Sequence, residues 1–177
     1  MEQLSNFETS QIKLREVEPE DLDILYKWEN DESLWLYGNT LKPYSKYQIK
    51  AYIESTLLDI YQTKQQRFMI NLKKSKKTIG TIDIFDIDFH NKRAGVGVLI
   101  YNKKNREQGY ASHALQLVIK YSKNILNLKQ LYCDILVENN SSINLFKAQK
   151  FEISGEKKQW IFDNGKWRNQ YFLQKIL

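Results

Sequence analysis

The stretch NREQGYASHAL, residues 105–115, decides the fold, because a polar loop changes there into an apolar helical pattern around one glycine, Gly109. Apolar residues then recur at positions i, i+3, i+4 and i+7, which are Ala111, Ala114, Leu115 and Val118. This spacing predicts the buried face of a helix that begins near Gly109. A glycine inside a helix costs about 1 kcal/mol relative to alanine. Either the loop simply ends at Gly109, or main-chain amides there approach a ligand closely, which a residue without Cβ permits.

The bulk composition predicts one packed domain over residues 1–177, with residues 1–11 as a flexible N-terminal segment. Hydrophobic residues make up 42% of the chain and aromatic residues 13%. No apolar run approaches the roughly 20 residues that cross a bilayer, and the first residues lack a signal-peptide pattern. Cys133 is the one cysteine in the chain, which indicates a reducing compartment. We therefore expect a cytoplasmic protein without a membrane partner.

The net charge of +6 suggests a nucleic-acid partner, but its distribution argues against one. Eight of the 21 acidic residues fall between Glu16 and Glu32. The sequence also lacks a cluster of Lys and Arg interleaved with stacking aromatic residues. Such a polarity suits an enzyme with an anionic cofactor and a cationic substrate, and it equally suits a solvated charged surface. We expect no nucleic-acid partner.

The order of elements along the chain predicts helices packed on a largely antiparallel sheet. Alternation or apolar runs predict strands at residues 12–17, 67–74, 77–88, 92–101 and 131–137. Helical patterns cover residues 19–30 and 45–63, the segment after Gly109, and a short segment after Asn139. The final stretch, WIFDNGKWRNQYFLQKI, predicts two strands joined by a DNG turn.

The succession of strand, REQGYA loop, amphipathic helix, buried strand and short helix resembles the GNAT N-acetyltransferases. Their cofactor loop reads Arg/Gln-x-x-Gly-x-Gly/Ala, and residues 106–111 fit that pattern. The segment ENNSSINLFKAQKF resembles the second cofactor motif of that family. The tail FDNGKWRNQYFLQ resembles the closing hairpin of spermidine N-acetyltransferases and of the ribosomal-protein branch.

The resemblance runs from about Ile12 to the C-terminus and is more specific after Thr78. It implies the GNAT-like acyl-CoA N-acyltransferase fold, an α/β (α+β) architecture. The expected sheet is mixed but mostly antiparallel, has about seven strands and carries helices on both faces.

The resemblance also implies acetyl-CoA as the cofactor. Its pyrophosphate would bind the helix N-terminus near Gly109, and its pantetheine arm would insert between strands 92–101 and 131–137. Asn139 would bond the cofactor or, as is common for asparagine, only cap a helix. The implied cofactor-binding residues are Leu99, Ile100, Tyr101, Arg106, Glu107, Gln108, Gly109, Tyr110, Ala111, Ser112, Asn139, Phe146 and Lys147.

Two positions depart from the family pattern. Phe146 stands where many relatives carry a tyrosine that protonates the departing thiolate, and Gly95 stands where many carry a glutamate that helps deprotonate the amine. A general acid adds about 10²- to 10⁴-fold, so catalysis survives such a loss. Candidates for the missing hydroxyl are Tyr101, Tyr110 and Tyr171.

Catalysis then depends on other groups. A main-chain amide near Val98 or Leu99, with Leu99 as the preferred donor, would stabilise the oxyanion formed during attack on the thioester. Asp83 or Asp86 could act as the base, and we expect Asp83 to face the cleft. Two distant histidines and one cysteine give no metal-site spacing, so no metal is expected.

The acceptor is predicted to be a primary amine. Glu29, Asp31 and Glu32 lie between the first two predicted helices, where this family builds its acceptor site, and Asp86 is a further candidate. This favours a polyamine or another small cationic amine. We also expect that the chain can form homo-oligomers. The alternatives are acetylation of a peptide N-terminus and a non-catalytic acyl-CoA-binding module.

Overall fold

The computed structural model describes residues 7–38 and 40–177. Its strands are β1 (Ile12–Arg15), β2 (Gln66–Leu72), β3 (Thr78–Asp88), β4 (Arg93–Ile100), β5 (Gln130–Leu136), β6 (Glu152–Asp163) and β7 (Lys166–Ile176). Its α-helices are α1 (Leu22–Glu29), α2 (Glu32–Gly38), α3 (Lys46–Ser55), α4 (Ile60–Thr63), α5 (Tyr110–Asn124) and α6 (Asn140–Ala148). Single 3₁₀ turns at Pro19–Asp21 and Lys103–Asn105 precede α1 and the loop before α5.

The seven strands form one sheet in the order β1-β2-β3-β4-β5-β7-β6. All neighbours are antiparallel except β4 and β5, which run parallel. A parallel pair needs a crossover, and α5 provides it. The order and the mixed, mostly antiparallel pairing confirm the predicted fold class.

Helices cover both faces of the sheet, and the side chains of β2 alternate between the two cores that result. Phe68 and Ile70 pack with α5, whose Leu115 and Val118 are fully buried in the larger apolar cluster. Met69, between them in sequence and also fully buried, packs on the opposite face. That smaller cluster contains Leu25 and Trp28 of α1 and Ile49 and Ile53 of α3. The period-2 alternation of a strand therefore separates the two layers.

The structure corrects one helix prediction and adds a helix that was not predicted. The predicted helix 45–63 is broken into α3 and α4, because the hydroxyls of Ser55 and Thr56 bond the carbonyls of Tyr52 and Ile53 at 2.6 and 2.7 Å and end α3. Asp59 then caps α4 by accepting bonds from the next turn. The segment after α1, which the sequence left without a predicted element, contains α2.

The N-terminal segment is described only in part. Residues 1–6 of the expected flexible segment lie outside the described residues. Phe7 packs against Phe68 and Tyr121, with ring centroids 5.1 and 5.3 Å away. Within the described residues no helix is long and apolar enough to cross a membrane.

Candidate active site

β4 and β5 part after a short stretch of pairing, and this opens the site. They pair only at Arg93–Gln130, Ala94–Leu131 and Gly95–Tyr132. Beyond Gly95, β4 continues to pair with β3, while β5 continues to pair with β7. A gap therefore separates the second half of β4 from the second half of β5 at the centre of the sheet.

The main-chain groups of β4 alternate between the β3 side and this gap. The Tyr101 N–H donates to the Ile79 carbonyl at 3.0 Å, on the β3 side, and the Leu99 carbonyl likewise points at Gly80 of β3. By the same alternation the Leu99 N–H also faces β3, which contradicts its prediction as the oxyanion donor. The N–H of Val98 is the one that faces the gap, and the N–H of Ile100 follows two residues later.

The N-terminus of α5 opens at the far end of the gap. Gly109 is its N-cap residue, with a φ of +81° that a residue with a Cβ rarely adopts. Arg106 folds its side chain back and donates to the carbonyls of Ile100 at 2.9 Å and Tyr101 at 3.2 Å. This guanidinium therefore fixes the loop to the end of β4.

A cleft of about 1720 Å³ connects the gap, the α5 N-terminus and the face of the sheet next to α1 and α2. Predicted site residues that line it are Glu29, Asp83, Asp86, Leu99, Ile100, Arg106, Glu107, Gly109, Tyr110, Ala111, Ser112 and Asn139. The remaining predicted site residues are Asp31, Glu32, Tyr101, Gln108, Phe146 and Lys147, and among the described residues these do not line it. Of this second group, Glu32, Gln108 and Lys147 are exposed to solvent.

Phe146 is a core residue and not a wall of the cleft, which corrects the prediction. Its ring is 3% exposed and meets the Phe151 ring edge-on at a centroid distance of 5.0 Å. The neighbouring residue Leu145 lines the cleft instead. Asn139, at the start of the same helix, both lines the cleft and caps α6, since its side-chain oxygen accepts the Ser142 N–H at 3.2 Å.

Gly95 has an additional structural reason to be a glycine. It pairs with Phe85 on β3, and a Cβ at position 95 would overlap the Phe85 ring. The Phe85 ring thus occupies the space that a side chain at position 95 would need. That ring lines the cleft and lies edge-on to Tyr132 at 6.4 Å.

Asp83 and Glu29 are held together by a residue that the sequence analysis did not select, Arg67. Arg67 donates from Nε to Asp83 Oδ1 at 2.5 Å and from Nη1 to Glu29 Oε1 at 2.6 Å. Its guanidinium also lies 5.2 Å from the ring centre of Tyr52. Burial raises the pKa of Asp83 and the Arg67 charge opposes that rise, but the pKa remains above its ordinary value.

Asp31 has a structural role, which corrects its assignment to the acceptor site. Its carboxylate accepts the Ser33 hydroxyl at 2.6 Å and the Ser33 N–H at 3.1 Å at the start of α2, and the Ser33 hydroxyl holds its pKa below the usual range. The Tyr101 ring stacks on the Trp28 ring at a centroid distance of 5.2 Å. Burial, and to a smaller extent the Asp31 carboxylate, raises the pKa of Tyr101. The Tyr101 side chain therefore anchors α1 to the sheet.

Two of the predicted hydroxyl candidates lie away from the cleft, and a tyrosine that was not predicted lines it. Tyr171 packs against the core on the α5 side, and Tyr101 is held under α1. Tyr110 and Tyr132 line the cleft. Burial raises the pKa of Tyr132, and the nearby carboxylates of Asp86 and Asp134 raise it further, so its hydroxyl stays protonated.

Both residues that sequence reasoning missed carry a signal in the strand pattern. Arg67 opens the buried run FMI, and Tyr132 alternates with Leu131 and Cys133 on β5. Since Gly95 pairs with both Phe85 and Tyr132, the Tyr132 side chain lies on the same face as Asp83. Alternation alone indicates such a face, but not that the face forms a cleft.

The chain belongs to the acetyltransferase (GNAT) domain family, whose model matches residues 11–152. It is 29% identical over 161 residues to a spermidine N(1)-acetyltransferase of Escherichia coli strain K12, covering 89% of this chain and 82% of that protein. It is 24% identical over 168 residues to a spermidine N(1)-acetyltransferase of Vibrio cholerae, covering 93% and 94%.

Solved structures show the same fold. A spermidine N-acetyltransferase from Vibrio cholerae, solved with CoA and spermine, superposes with a TM-score of 0.84 at 23% identity, over 95% of this chain and 96% of that chain. The family match and this superposition confirm the GNAT fold that the REQGYA loop and its surroundings predicted.

The overlap at Gly95 can be tested by stability measurements on two matched glycines. Gly95→Ala should destabilise the protein by about 1–3 kcal/mol, because the Phe85 ring must move. Gly97→Ala is the control, because its Cβ would contact the same ring at an ordinary 3.7 Å. Denaturant unfolding measures both, and Phe85→Leu should restore much of the loss in the Gly95→Ala background. Equal stability of the two alanine variants would contradict the overlap.

Proposed function

We propose that the chain transfers the acetyl group of acetyl-CoA directly to a primary amine of a polyamine or another small cationic amine. One observation carries this proposal: the gap with its helix N-terminus and the Glu29–Arg67–Asp83 cluster open into the same cleft. Two relatives are named spermidine N(1)-acetyltransferases, which agrees with a cationic acceptor.

The cofactor half of the cleft fits acetyl-CoA by two features. The α5 N-terminus presents unpaired N–H groups and a partial positive charge, which suit a pyrophosphate. Space around Gly109 is open, since a Cβ there would meet no atom within 4 Å. The β4 edge adds the N–H groups of Val98 and Ile100, which suit amide carbonyls of a pantetheine arm.

In this arrangement the bound cofactor supplies an acetyl thioester, and the chain supplies the groups around it. The Val98 N–H would donate to the developing oxyanion. Asp83 would accept a proton from the incoming ammonium, and its raised pKa brings it closer to neutrality, where a base is more effective. Tyr132 would return a proton to the departing sulfur, because its side chain lines the cleft while Phe146 is a core residue without a hydroxyl.

The acceptor half of the cleft is suited to more than one positive charge. Glu29 and Asp83 lie at one end, and Asp86 lines the same cleft. Asp88 and Asp134 also line it, but they are ion-paired with Arg93 at 3.2 Å and Lys157 at 2.7 Å. The rings of Tyr132 and Phe172, with centroids 5.5 Å apart, also line the cleft and suit the aliphatic part of a polyamine. We further propose a homo-oligomer, since the Vibrio cholerae relative has been solved as a dodecamer.

An acetyl-CoA consumption assay against spermidine, spermine, a monoamine and short peptides tests the proposed function. We expect turnover with the polyamines and little with the peptides. The acceptor KM should rise with salt, because exposed charges are screened over about 10 Å at 0.1 M. Peptide turnover alone would replace the proposal with N-terminal acetylation, and tight CoA binding with no turnover would favour a binding module.

The role of Gly109 can be separated from simple backbone strain. Gly109→Val should weaken CoA binding at least about tenfold, through loss of a charge-assisted hydrogen bond. Gly165→Val is a matched control, because Gly165 has a φ of +78° and open space but lies in the β6–β7 turn. Calorimetry should show normal CoA affinity for the Gly165 variant. Equal affinities for both variants would contradict a phosphate site at α5.

The proton donor is tested by comparing the two tyrosines of the cleft. Tyr132→Phe should lower kcat about tenfold or more, within the range expected of a general acid, and leave CoA affinity unchanged. Tyr110→Phe should leave kcat nearly unchanged. The reverse pattern in steady-state kinetics would assign the proton transfer to Tyr110, and no effect in either variant would mean that protonation of the thiolate is not rate-limiting.

A further inference from the structure

Arg67 is the feature of the cleft whose role the proposed function leaves open. It lies in the second position of β2 with its side chain 19% exposed, and its two partners are also partly buried, at 29% for Glu29 and 26% for Asp83. One guanidinium therefore bridges the last residue of α1 to the middle of β3 across the floor of the cleft.

The bridge uses one oxygen of each carboxylate. Arg67 binds Oδ1 of Asp83 and Oε1 of Glu29 through two different nitrogens of its planar group. A lysine ammonium lacks this fork and cannot hold two carboxylates in a fixed relative orientation. With both carboxylates ionised, the trio carries one net negative charge, which matches a single incoming ammonium.

Tyr52 of α3 closes the other side of the bridge. Its ring lies 5.2 Å from the Arg67 guanidinium, and burial raises the pKa of Tyr52 to about 12, so it stays neutral. The contact restricts the guanidinium from the side opposite the cleft. The orientation of Arg67 is therefore set by three elements, α1, α3 and β3.

We propose that Arg67 is a positioning residue of the acceptor site, which holds Asp83 and Glu29 ionised and correctly oriented to receive one ammonium group of the acceptor. This rests on the proposed function, since it assigns Asp83 the role of base. Arg67 itself transfers no proton. It acts through the two carboxylates.

The groups facing Asp83 determine the expected sign of the pH effect. They are Arg67 from β2, Glu29 from α1, Tyr52 from α3 and the Thr81 hydroxyl from its own strand. Gly97, its partner on β4, contributes no side chain. Without Arg67, burial and the Glu29 charge would both raise the pKa of Asp83 with little to oppose them. Activity that requires ionised Asp83 would then be lost at a higher pH as the pH falls.

The test is the pH profile of kcat/KM for spermidine in Arg67→Met. We expect its acid limb to move up by about one pH unit or more, and the acceptor KM to rise while CoA affinity is retained. In an Asp83→Asn background the same substitution should cause no further displacement of the limb. An unchanged limb and acceptor KM in a folded Arg67→Met protein would overturn the proposal.

Arg67→Lys keeps the charge and guards against a methionine variant that does not fold. Its acid limb should stay close to that of the wild type, while kcat falls about ten- to a hundredfold because the fork is lost. Wild-type kinetics in every parameter for Arg67→Lys would contradict a positioning role.

Arg15→Met is the matched control. Arg15 also binds an aspartate with two nitrogens, both at 2.7 Å from Asp21, but outside the cleft. Its loss should lower the melting temperature and leave the acid limb and acceptor KM unchanged. A displaced limb in Arg15→Met would show that the effect is not specific to Arg67. Failure of the wild-type protein to acetylate any amine would refute the proposed function, which separates that outcome from failure of the Arg67 assignment.

Discussion

Main-chain donors and acceptors at the centre of a sheet normally pair with the strands on both sides. After Gly95, β4 is no longer paired with β5. The exposed groups of Val98 and Ile100 remain available for a ligand only because the rest of the sheet holds both strands apart. β3 supports β4 along its other edge, and β7 supports β5 from Gln130 to Leu136. The α5 crossover that parallel pairing requires then places a helix N-terminus at the mouth of the gap.

The same separation determines what the acceptor face contains. Where β4 and β5 still touch, Gly95 leaves room for the Phe85 ring, and that ring supports Tyr132. Side chains on this face project chiefly from β2, β3, β5 and β7, while α1 and α3 pack over Met69 at the β2 end of it. A cleft remains over the centre of the sheet, so the polar groups of β3 face open space and not a second core.

The sequence predicted what depends on local pattern and failed where the outcome depends on packing. Gly109 was assigned to the start of α5 because loop polarity and helical period both change there. The prediction that the Leu99 N–H faces the gap was wrong, because a strand pattern does not show which main-chain groups point toward which neighbour. Phe146 occupied the expected motif position, but its ring turned to Phe151 in the core, and no local signal distinguishes that direction. Arg67 was missed because its partners lie 38 and 16 residues away in sequence.

The acidic run between Glu16 and Glu32 shows why sequence proximity of charges is a weak guide to a binding surface. Asp21 is ion-paired with Arg15, and Asp23 is ion-paired with Lys46. Asp31 accepts a hydrogen bond from Ser33 in the first turn of α2. Of that run only Glu29 reaches the cleft, and it arrives already paired with Arg67. The remaining negative charge comes chiefly from Asp83 and Asp86 of β3, which both line the cleft, whereas Asp88 of the same strand is ion-paired with Arg93. Recognition of a cationic acceptor would therefore be determined by a strand of the rigid sheet, and α1 would adjust it through the single contact that Arg67 makes with Glu29.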